Sequence, residues 1–265
     1  MRQEAYFCTV KELDELGKNN IPRQLISHTH LIYSSPATLA FNSPGAEGFG
    51  VKRAGLAVPD SVMLIVSPGC CGRNTSVLSS MRAYQDRFYY LLMDETDIVT
   101  GRHLKKIPKA VAEICEGLKK KPSVVMICIT CVDALLGTDM ERVCHKAEEY
   151  AGVPVRPCYM YALTREGRKP PMVHVRQSVY SLLEPKKKKG NVVNLLGYFS
   201  PLTDDCELYD LLHGAGVKTI HEISRCKDYA QYQTMSEANF NLVLHPEARL
   251  SLIHISEPTR LALIS

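Results

Sequence analysis

The strongest constraint on the fold is a short apolar run that leads directly into a turn carrying two adjacent cysteines. Residues 62–66 have the sequence VMLIV, which predicts a buried strand. The segment SPGCCG follows at residues 67–72, and its proline and glycine predict a tight turn at the end of that strand. We therefore expect Cys70 and Cys71 in the loop beyond the carboxyl end of a strand, where open α/β sheets bind ligands and cofactors.

A third cysteine has the same setting further along the chain. Residues 123–130 form another apolar, β-branched run, and Cys131 follows it directly. If both runs are strands of one parallel sheet, Cys70, Cys71 and Cys131 emerge at one edge of it. A soft metal ion or an iron–sulfur cluster requires thiolates that converge in this way. The convergence is a hypothesis, because spacing along the chain does not fix the order of strands.

The order of the predicted elements indicates an α/β fold with a parallel sheet. They alternate between strand and helix: a strand at 87–93, a helix at 107–121, a strand at 123–130, a helix at 138–150 and a strand at 153–159. Such alternation favours parallel pairing through right-handed crossovers. We predict Pro108 in the first turn of its helix and a capping box from Thr138 and Glu141, with residues 94–97 as a polar loop.

A second α/β unit is predicted beyond the four lysines at 186–189, which we interpret as a solvated linker. Its predicted elements are a strand at 191–198, a helix capped by Thr203, a strand at 217–223, a helix at 229–238 and a strand at 239–244. We divide the chain into a first domain at 1–189 and the start of a second, Rossmann-like domain at 190–250. The tail at 251–265 looks like a translated sequencing adapter, so we expect it to be non-native and the second domain to be cut short.

Composition and the lack of certain motifs argue against several classes of function. The net charge of +4 over 265 residues gives no electrostatic support for binding nucleic acid. No apolar run is long enough to span a bilayer, and the N-terminus lacks the apolar core of a signal peptide, so we expect a cytoplasmic protein. The cytosol would keep the 10 cysteines reduced. No Ser-His-Asp set, Walker loop or Gly-x-Gly-x-x-Gly motif is present, so we do not expect the chain to bind ATP.

Most of the cysteines are predicted to be structural. Cys128 and Cys131 form a Cys-x-x-Cys pair, but Cys128 is expected inside a strand, which argues against thiol–disulfide exchange. Cys115 and Cys144 are expected on helices as core residues. Four others show no pattern of partners and are also interpreted as structural: Cys8, Cys158, Cys206 and Cys226.

Taken in order, several motifs resemble those of the component 1 proteins of nitrogenase and their nitrogenase-like relatives. Residues 67–72 are similar to the family's Gly-Pro-x-Gly-Cys-Gly, which puts Cys71 on a cluster-ligating cysteine. Thr130 and Cys131, with Gly-Thr-Asp at 137–139, are similar to Thr-Cys followed by Gly-Asp-Asp, which puts Cys131 on a second ligand. The resemblance covers roughly residues 30–248 and implies parallel-sheet, Rossmann-like domains of the nitrogenase component 1 type.

Other segments add to the resemblance or depart from it. The sequence DIVTG at 97–101 resembles the family's Asp-Ile-Val-Phe-Gly. Phe41 or Asn42, however, stands where the family has its first cluster cysteine. His245 falls where the α-type subunit has a cysteine that holds the iron–molybdenum cofactor, and histidine is a metal ligand but not a thiolate. Both departures argue against dinitrogen reduction.

The resemblance implies an oxidoreductase subunit that binds an iron–sulfur cluster and passes low-potential electrons to a substrate or metallocofactor. Its electrons would come from an ATP-dependent iron–sulfur reductase of the nitrogenase iron-protein type. A [4Fe–4S] cluster takes four ligands, so Cys71 and Cys131, with Cys70 as an extra, suggest one cluster shared across a homodimer or with a paralogous subunit. His245 completes the predicted cofactor-binding set, and no catalytic residue is assigned.

Two alternative functions remain open. One is a scaffold for metallocofactor assembly, and the other is a metal-free α/β protein that binds a small molecule.

Overall fold

The computed structural model describes residues 9–17, 20, 47–69, 79, 84–129, 136–159 and 171–245. The chain forms two compact units, residues 1–46 and 47–265. In the first unit the described helix is α1 (Val10–Leu16), which is followed by Gly17, a residue with φ of 75°. Cys8, Phe41, Asn42, Cys70, Cys71, Cys131 and the tail at 251–265 lie outside the described residues.

The second unit contains two parallel sheets and the helices between their strands. The strands are β1 (Val62–Ser67), β2 (Phe88–Leu92), β3 (Val125–Ile129), β4 (Val155–Tyr159), β5 (Lys189–Leu196), β6 (Thr219–His221) and β7 (Ala238–Val243). The α-helices are α2 (Glu47–Gly55), α3 (Glu95–Thr100), α4 (His103–Gly117), α5 (Met140–Ala151), α6 (Pro171–Tyr180), α7 (Glu207–Gly214) and α8 (Tyr229–Gln233).

The first sheet has the strand order β2-β1-β3-β4, and every pairing in it is parallel. β1 and β3 are neighbours, as the strand-end hypothesis requires, with Val66 opposite Ile129. Every residue of both strands is buried, because helices cover the two faces of the sheet. The predicted parallel α/β architecture is confirmed.

The second sheet has the order β6-β5-β7 and is also parallel. Lys189, interpreted above as part of a linker, instead opens β5, and its ammonium group pairs with the carboxylate of Glu237. The domain boundary at residue 190 stays a prediction, although the second sheet begins at that point in the sequence.

Two apolar cores lie on opposite faces of the first sheet. One contains Val62, Leu64 and Val66 of β1 and packs against α4 and α5. The other contains Met63 and Ile65, includes residues of α2 and α6, and continues into the second sheet through Leu196. Alternate residues of β1 therefore serve different cores, as the pleat of a strand dictates.

Gly55 allows α2 to approach the first sheet closely. A Cβ atom at this position would lie 2.8 Å from both Cys158 Sγ and Met63 Cε. A larger residue would therefore require the core side chains beneath the helix to move.

Residues 94–97 do not form the predicted polar loop. They form the start of α3, with Asp94 as its cap residue. The Asp94 carboxylate accepts a hydrogen bond from Asp97 N at 2.6 Å, and the Asp97 carboxylate accepts one from Asp94 N. This is an acidic form of the capping box. Gly101, with φ of 68°, ends the helix, and α4 then begins at His103 rather than at residue 107. Pro108 therefore lies inside α4, not in its first turn.

Other boundaries also differ from those predicted. Asp139, not Thr138, caps α5 by accepting a hydrogen bond from Arg142 N at 3.1 Å. The helix placed after Thr203 begins only at α7, whose cap residue Cys206 makes no side-chain hydrogen bond. β6 has 3 residues, which is shorter than the predicted run. α8 tightens into a 3₁₀ turn before β7 begins at Ala238, one residue earlier than expected.

Candidate metal centre

The carboxyl ends of β1, β2 and β3 lie side by side at one edge of the first sheet. Ser67 at the end of β1 is paired with Leu92 of β2, and its carbonyl oxygen accepts a hydrogen bond from Met93 N at 3.0 Å. The cysteine segments follow the ends of β1 and β3 in the sequence but lie outside the described residues. The strand adjacency that their convergence needs is present, and the convergence itself stays a prediction.

The side chain of Ser67 indicates whether this edge of the sheet is suited to an iron–sulfur cluster. Ser67 is completely buried, and its Oγ has no hydrogen-bond partner among the described residues. A buried hydroxyl left in this state costs about 1–3 kcal/mol. Sulfur atoms of an iron–sulfur cluster can accept hydrogen bonds. The lone buried donor and the cysteines that follow both strands therefore fit such a group.

Burial disfavours the thiolate form of five of the described cysteines. Burial raises the pKa of Cys128 to about 11, against an opposing effect of the Lys52 charge. Burial also raises the pKa of its register partner Cys158 on β4. It acts in the same direction on three further thiols: Cys115, Cys144 and Cys226. Because a metal ligand must be a thiolate, these cysteines fit the structural role predicted for them.

The motif at 97–101 supplies a buried polar anchor beside the same edge. The Asp97 side chain is 1% exposed, and its carboxylate lies 2.6 Å from Lys106 Nζ and 3.2 Å from Arg102 Nε. Its backbone oxygen lies 2.9 Å from Nδ1 of the buried His103. These bonds fix the turn between α3 and α4 in one conformation.

The lowered pKa of Asp97 predicts how the free energy of unfolding changes at low pH. The hydrogen bond from Lys106 is the main cause of its lowered pKa, so the unfolded chain takes up this proton before the folded chain does. Stability should therefore fall as the pH drops below about 3.9, the unperturbed value, toward the folded pKa. In urea unfolding at pH 7 and pH 3, Asp97→Asn should lower stability at pH 7 and narrow the difference between the two pH values.

The exposed Asp205 provides the control for that measurement. Asp205→Asn should leave both stabilities close to wild type. An Asp97→Asn protein as acid-sensitive as wild type would show that the carboxylate contributes nothing to the pH dependence.

A groove of about 650 Å³ opens where α3, α4 and α5 meet. Gly137, Thr138 and Asp139, the second part of the Cys131 motif, line one side of it. Lys105 and Arg142 are also in its lining. The cationic lining suits an anionic group better than a metal ion.

His245 lies at the carboxyl end of the second sheet, just after β7. Leu244 N donates to Leu196 O at 2.7 Å, so β5 and β7 stay paired up to this point. Gly197 has φ of 125°, and a Cβ atom there would lie 2.7 Å from His245 N and 2.8 Å from His245 Cβ. The Tyr198 ring meets the imidazole edge-on, with centroids 5.7 Å apart. The missing side chain of Gly197 thus makes room for His245, whose role as a ligand stays a prediction.

Sequence reasoning missed a buried arginine at this strand end. Arg176 of α6 is 4% exposed, and its Nη2 donates to Gly197 O at 2.9 Å. Its guanidinium carbon also lies 5.7 Å from the centroid of the Phe199 ring. The sequence does show one cationic residue, Arg176, within the apolar stripe of α6. Its hydrogen-bond partner Gly197 lies 21 residues away in sequence, so the contact could not be predicted.

The described ranges contain no group of three or more His, Cys, Asp or Glu residues placed to hold a metal ion. The cysteines predicted as ligands, Cys70, Cys71 and Cys131, lie outside those ranges. Among the described helices, none is both long and apolar enough to cross a membrane.

Two parallel sheets whose strands alternate with helices define a Rossmann-like α/β protein. The family model described as nitrogenase component 1 type oxidoreductase matches residues 47–259. The chain belongs to this family.

Similar curated proteins carry the name nitrogenase iron-molybdenum cofactor biosynthesis protein NifE. The one from Rhizobium meliloti (strain 1021) is 27% identical over 210 residues, covering 77% of this chain and 44% of that protein. The one from Klebsiella pneumoniae is 26% identical over 235 residues, covering 81% and 51% respectively. The chain thus spans about half the length of these relatives.

Solved structures agree on the fold. Nitrogenase Cp1 at pH 6.5 superimposes with a TM-score of 0.57 at 17% identity, over 78% of this chain and 50% of that one. Nitrogenase Cp1 at pH 5 gives a TM-score of 0.53 at 22% identity, over 74% and 43%.

Proposed function

We propose that the protein is a scaffold that holds an iron–sulfur cluster and takes part in assembling a metallocofactor. The observation that carries this proposal is the parallel adjacency of β1 and β3, whose carboxyl ends share the edge that Cys70, Cys71 and Cys131 follow. The biosynthetic names of the similar NifE proteins favour assembly over substrate turnover.

Cys71 and Cys131 would hold the cluster, with Cys70 as a further ligand. Two such chains, identical or paralogous, would supply the four thiolates of a [4Fe–4S] cluster. When bound, the cluster supplies one-electron chemistry at low potential. The ion pair between Asp97 and Lys106 holds the turn between α3 and α4, and burial keeps the Cys128 thiol protonated by raising its pKa.

His245 would contact the metallocofactor that is being assembled, which is cargo rather than a resident group. Imidazole is a weaker anchor for iron than thiolate, and a scaffold must release what it binds. The close approach of Gly197 holds His245 at the strand end, where such cargo could reach it.

An electron-transferring oxidoreductase is the second candidate, favoured by the family's own description. In that case an ATP-dependent iron–sulfur reductase of the iron-protein type would supply electrons, and the substrate would not be dinitrogen. Either function requires thiols kept reduced, so we place the protein in the cytoplasm.

Cluster transfer distinguishes the two functions. The protein is purified without oxygen, reconstituted with iron and sulfide, and mixed with an iron-free ferredoxin as acceptor. We expect iron bound in excess of the resident cluster to move to the acceptor, with no reduction of protons or acetylene when an iron protein and ATP are added. Sustained turnover with no iron passed to the acceptor would favour the oxidoreductase, and a protein that takes up no iron would reject both.

A further inference from the structure

We propose that the Ser67 hydroxyl donates a hydrogen bond to a sulfur atom of the bound cluster and thereby raises the cluster's reduction potential. This inference rests on the proposed function, since it needs a cluster at the edge that β1 and β3 share.

The first support is the burial of a donor that the described protein does not satisfy. Ser67 is 0% exposed, and its Oγ lacks a partner among the described residues. Its backbone oxygen, in contrast, is bonded to Met93 N. The uncompensated group is therefore the side chain alone, and buried hydroxyls are rarely left in that state.

At the opposite end of the same strand, the hydroxyl of another buried serine has its hydrogen-bond partners within the protein. Ser61, just before β1, is also buried, and its Oγ donates to Val58 O at 2.7 Å. It also accepts from Arg87 Nη2 at 2.9 Å. One end of β1 thus has a complete hydrogen-bond network, whereas the end nearest the cysteines has a donor in need of an acceptor.

Position within the strand indicates what the acceptor is. Ser67 alternates with Val66 and lies on the face of Met63 and Ile65, at the last residue of β1, which precedes Cys70 and Cys71 in the sequence. Within the described residues the neighbouring strand ends, Leu92 and Ile129, have apolar side chains. A cluster held by the cysteines would provide sulfide and thiolate acceptors at this edge.

The direction of the expected change in reduction potential follows from the charge of the cluster. Reduction adds an electron to the cluster, and a hydroxyl hydrogen bond to sulfur stabilises the more negative state. Removing the hydroxyl should therefore make the cluster harder to reduce. Ser67 would be a positioning and tuning residue, and no bond is formed or broken at it.

The experiment compares Ser67→Ala, Ser67→Thr and Ser224→Ala in the full chain, purified and reconstituted without oxygen. Ser224 Oγ is another buried hydroxyl without a partner among the described residues, and it lies in the turn after β6, so it is a matched control. The readouts are iron content, the midpoint potential from an EPR-monitored titration, and the coupling of an exchangeable proton seen by ENDOR after transfer to D₂O.

Ser67→Ala should keep its iron, titrate at a lower potential and lose one exchangeable-proton coupling. Ser67→Thr should retain both features, and Ser224→Ala should match wild type. Unchanged potential and coupling in iron-loaded Ser67→Ala would overturn the inference. Wild type without iron would instead mean that the proposed function itself fails, and the inference with it.

Thermal unfolding of the iron-free proteins adds a test that does not depend on loading. Without a cluster the Ser67 hydroxyl lacks an acceptor, so iron-free Ser67→Ala should be at least as stable as iron-free wild type. A clearly lower melting temperature would show that the hydroxyl bonds to the protein, and the inference would then be wrong.

Discussion

Replacing either Cys71 or Cys131 with alanine is expected to remove most of the iron from the protein purified without oxygen. Loss of a partner outside the ligand shell already weakens metal binding roughly 10- to 100-fold, and loss of a ligand should cost at least as much. Iron and acid-labile sulfide per chain, with the EPR signal of the reduced protein, measure the effect. Cys70→Ala should retain more iron than either variant if Cys70 is only an additional ligand.

The control for this experiment is Cys206→Ala. Cys206 is half-buried and caps α7 without a side-chain hydrogen bond, so its loss should change neither iron content nor folding. Full iron and an unaltered EPR signal in both Cys71→Ala and Cys131→Ala would show that the cluster is held elsewhere.

The second large effect is expected at Gly197. Its φ of 125° is a conformation that side chains rarely adopt, and an alanine Cβ would press into the backbone of His245. Strain of this kind costs about 1–3 kcal/mol, before the steric clash is added. We expect Gly197→Ala to lower the free energy of unfolding in urea by at least that amount and to displace His245 from the end of β7.

Gly190, at the other end of β5, is the matched control. A Cβ atom there meets nothing within 4 Å, so Gly190→Ala should be neutral or slightly stabilising. Equal stability of the two alanine variants would mean that the close approach between Gly197 and His245 does not constrain the fold.

The sheets could be predicted because their signals are local. The apolar runs around Leu64 and Ile127 are strands on composition alone, and the alternation with helices makes them parallel. The adjacency of β1 and β3 was a hypothesis that needed coordinates, since sequence order is silent on strand order. The capping box of Asp94 and Asp97 was visible in the sequence, but two aspartates in a row of polar residues were interpreted as a loop.

The remaining features depend on approaches between distant segments. Arg176 is held by a hydrogen bond to the carbonyl oxygen of Gly197, and Gly197 must be a glycine because the backbone of His245 lies against it. Neither contact can be predicted from the local sequence around Arg176 or Gly197. The isolated state of the Ser67 hydroxyl likewise emerges only once its surroundings are known. Spacing located the candidate cysteines, whereas the groups that would tune or support them required the fold.

The central claim is that the thiols of Cys71 and Cys131 meet at one edge of the first sheet. Thiol-specific cross-linking of the iron-free protein with dibromobimane, in a Cys70→Ala background, tests this directly, because the reagent joins only neighbouring sulfur atoms. We predict that mass spectrometry of the digested monomer will find the peptides of residues 71 and 131 joined within one chain. Efficient labelling of both cysteines without any link between them would contradict the account.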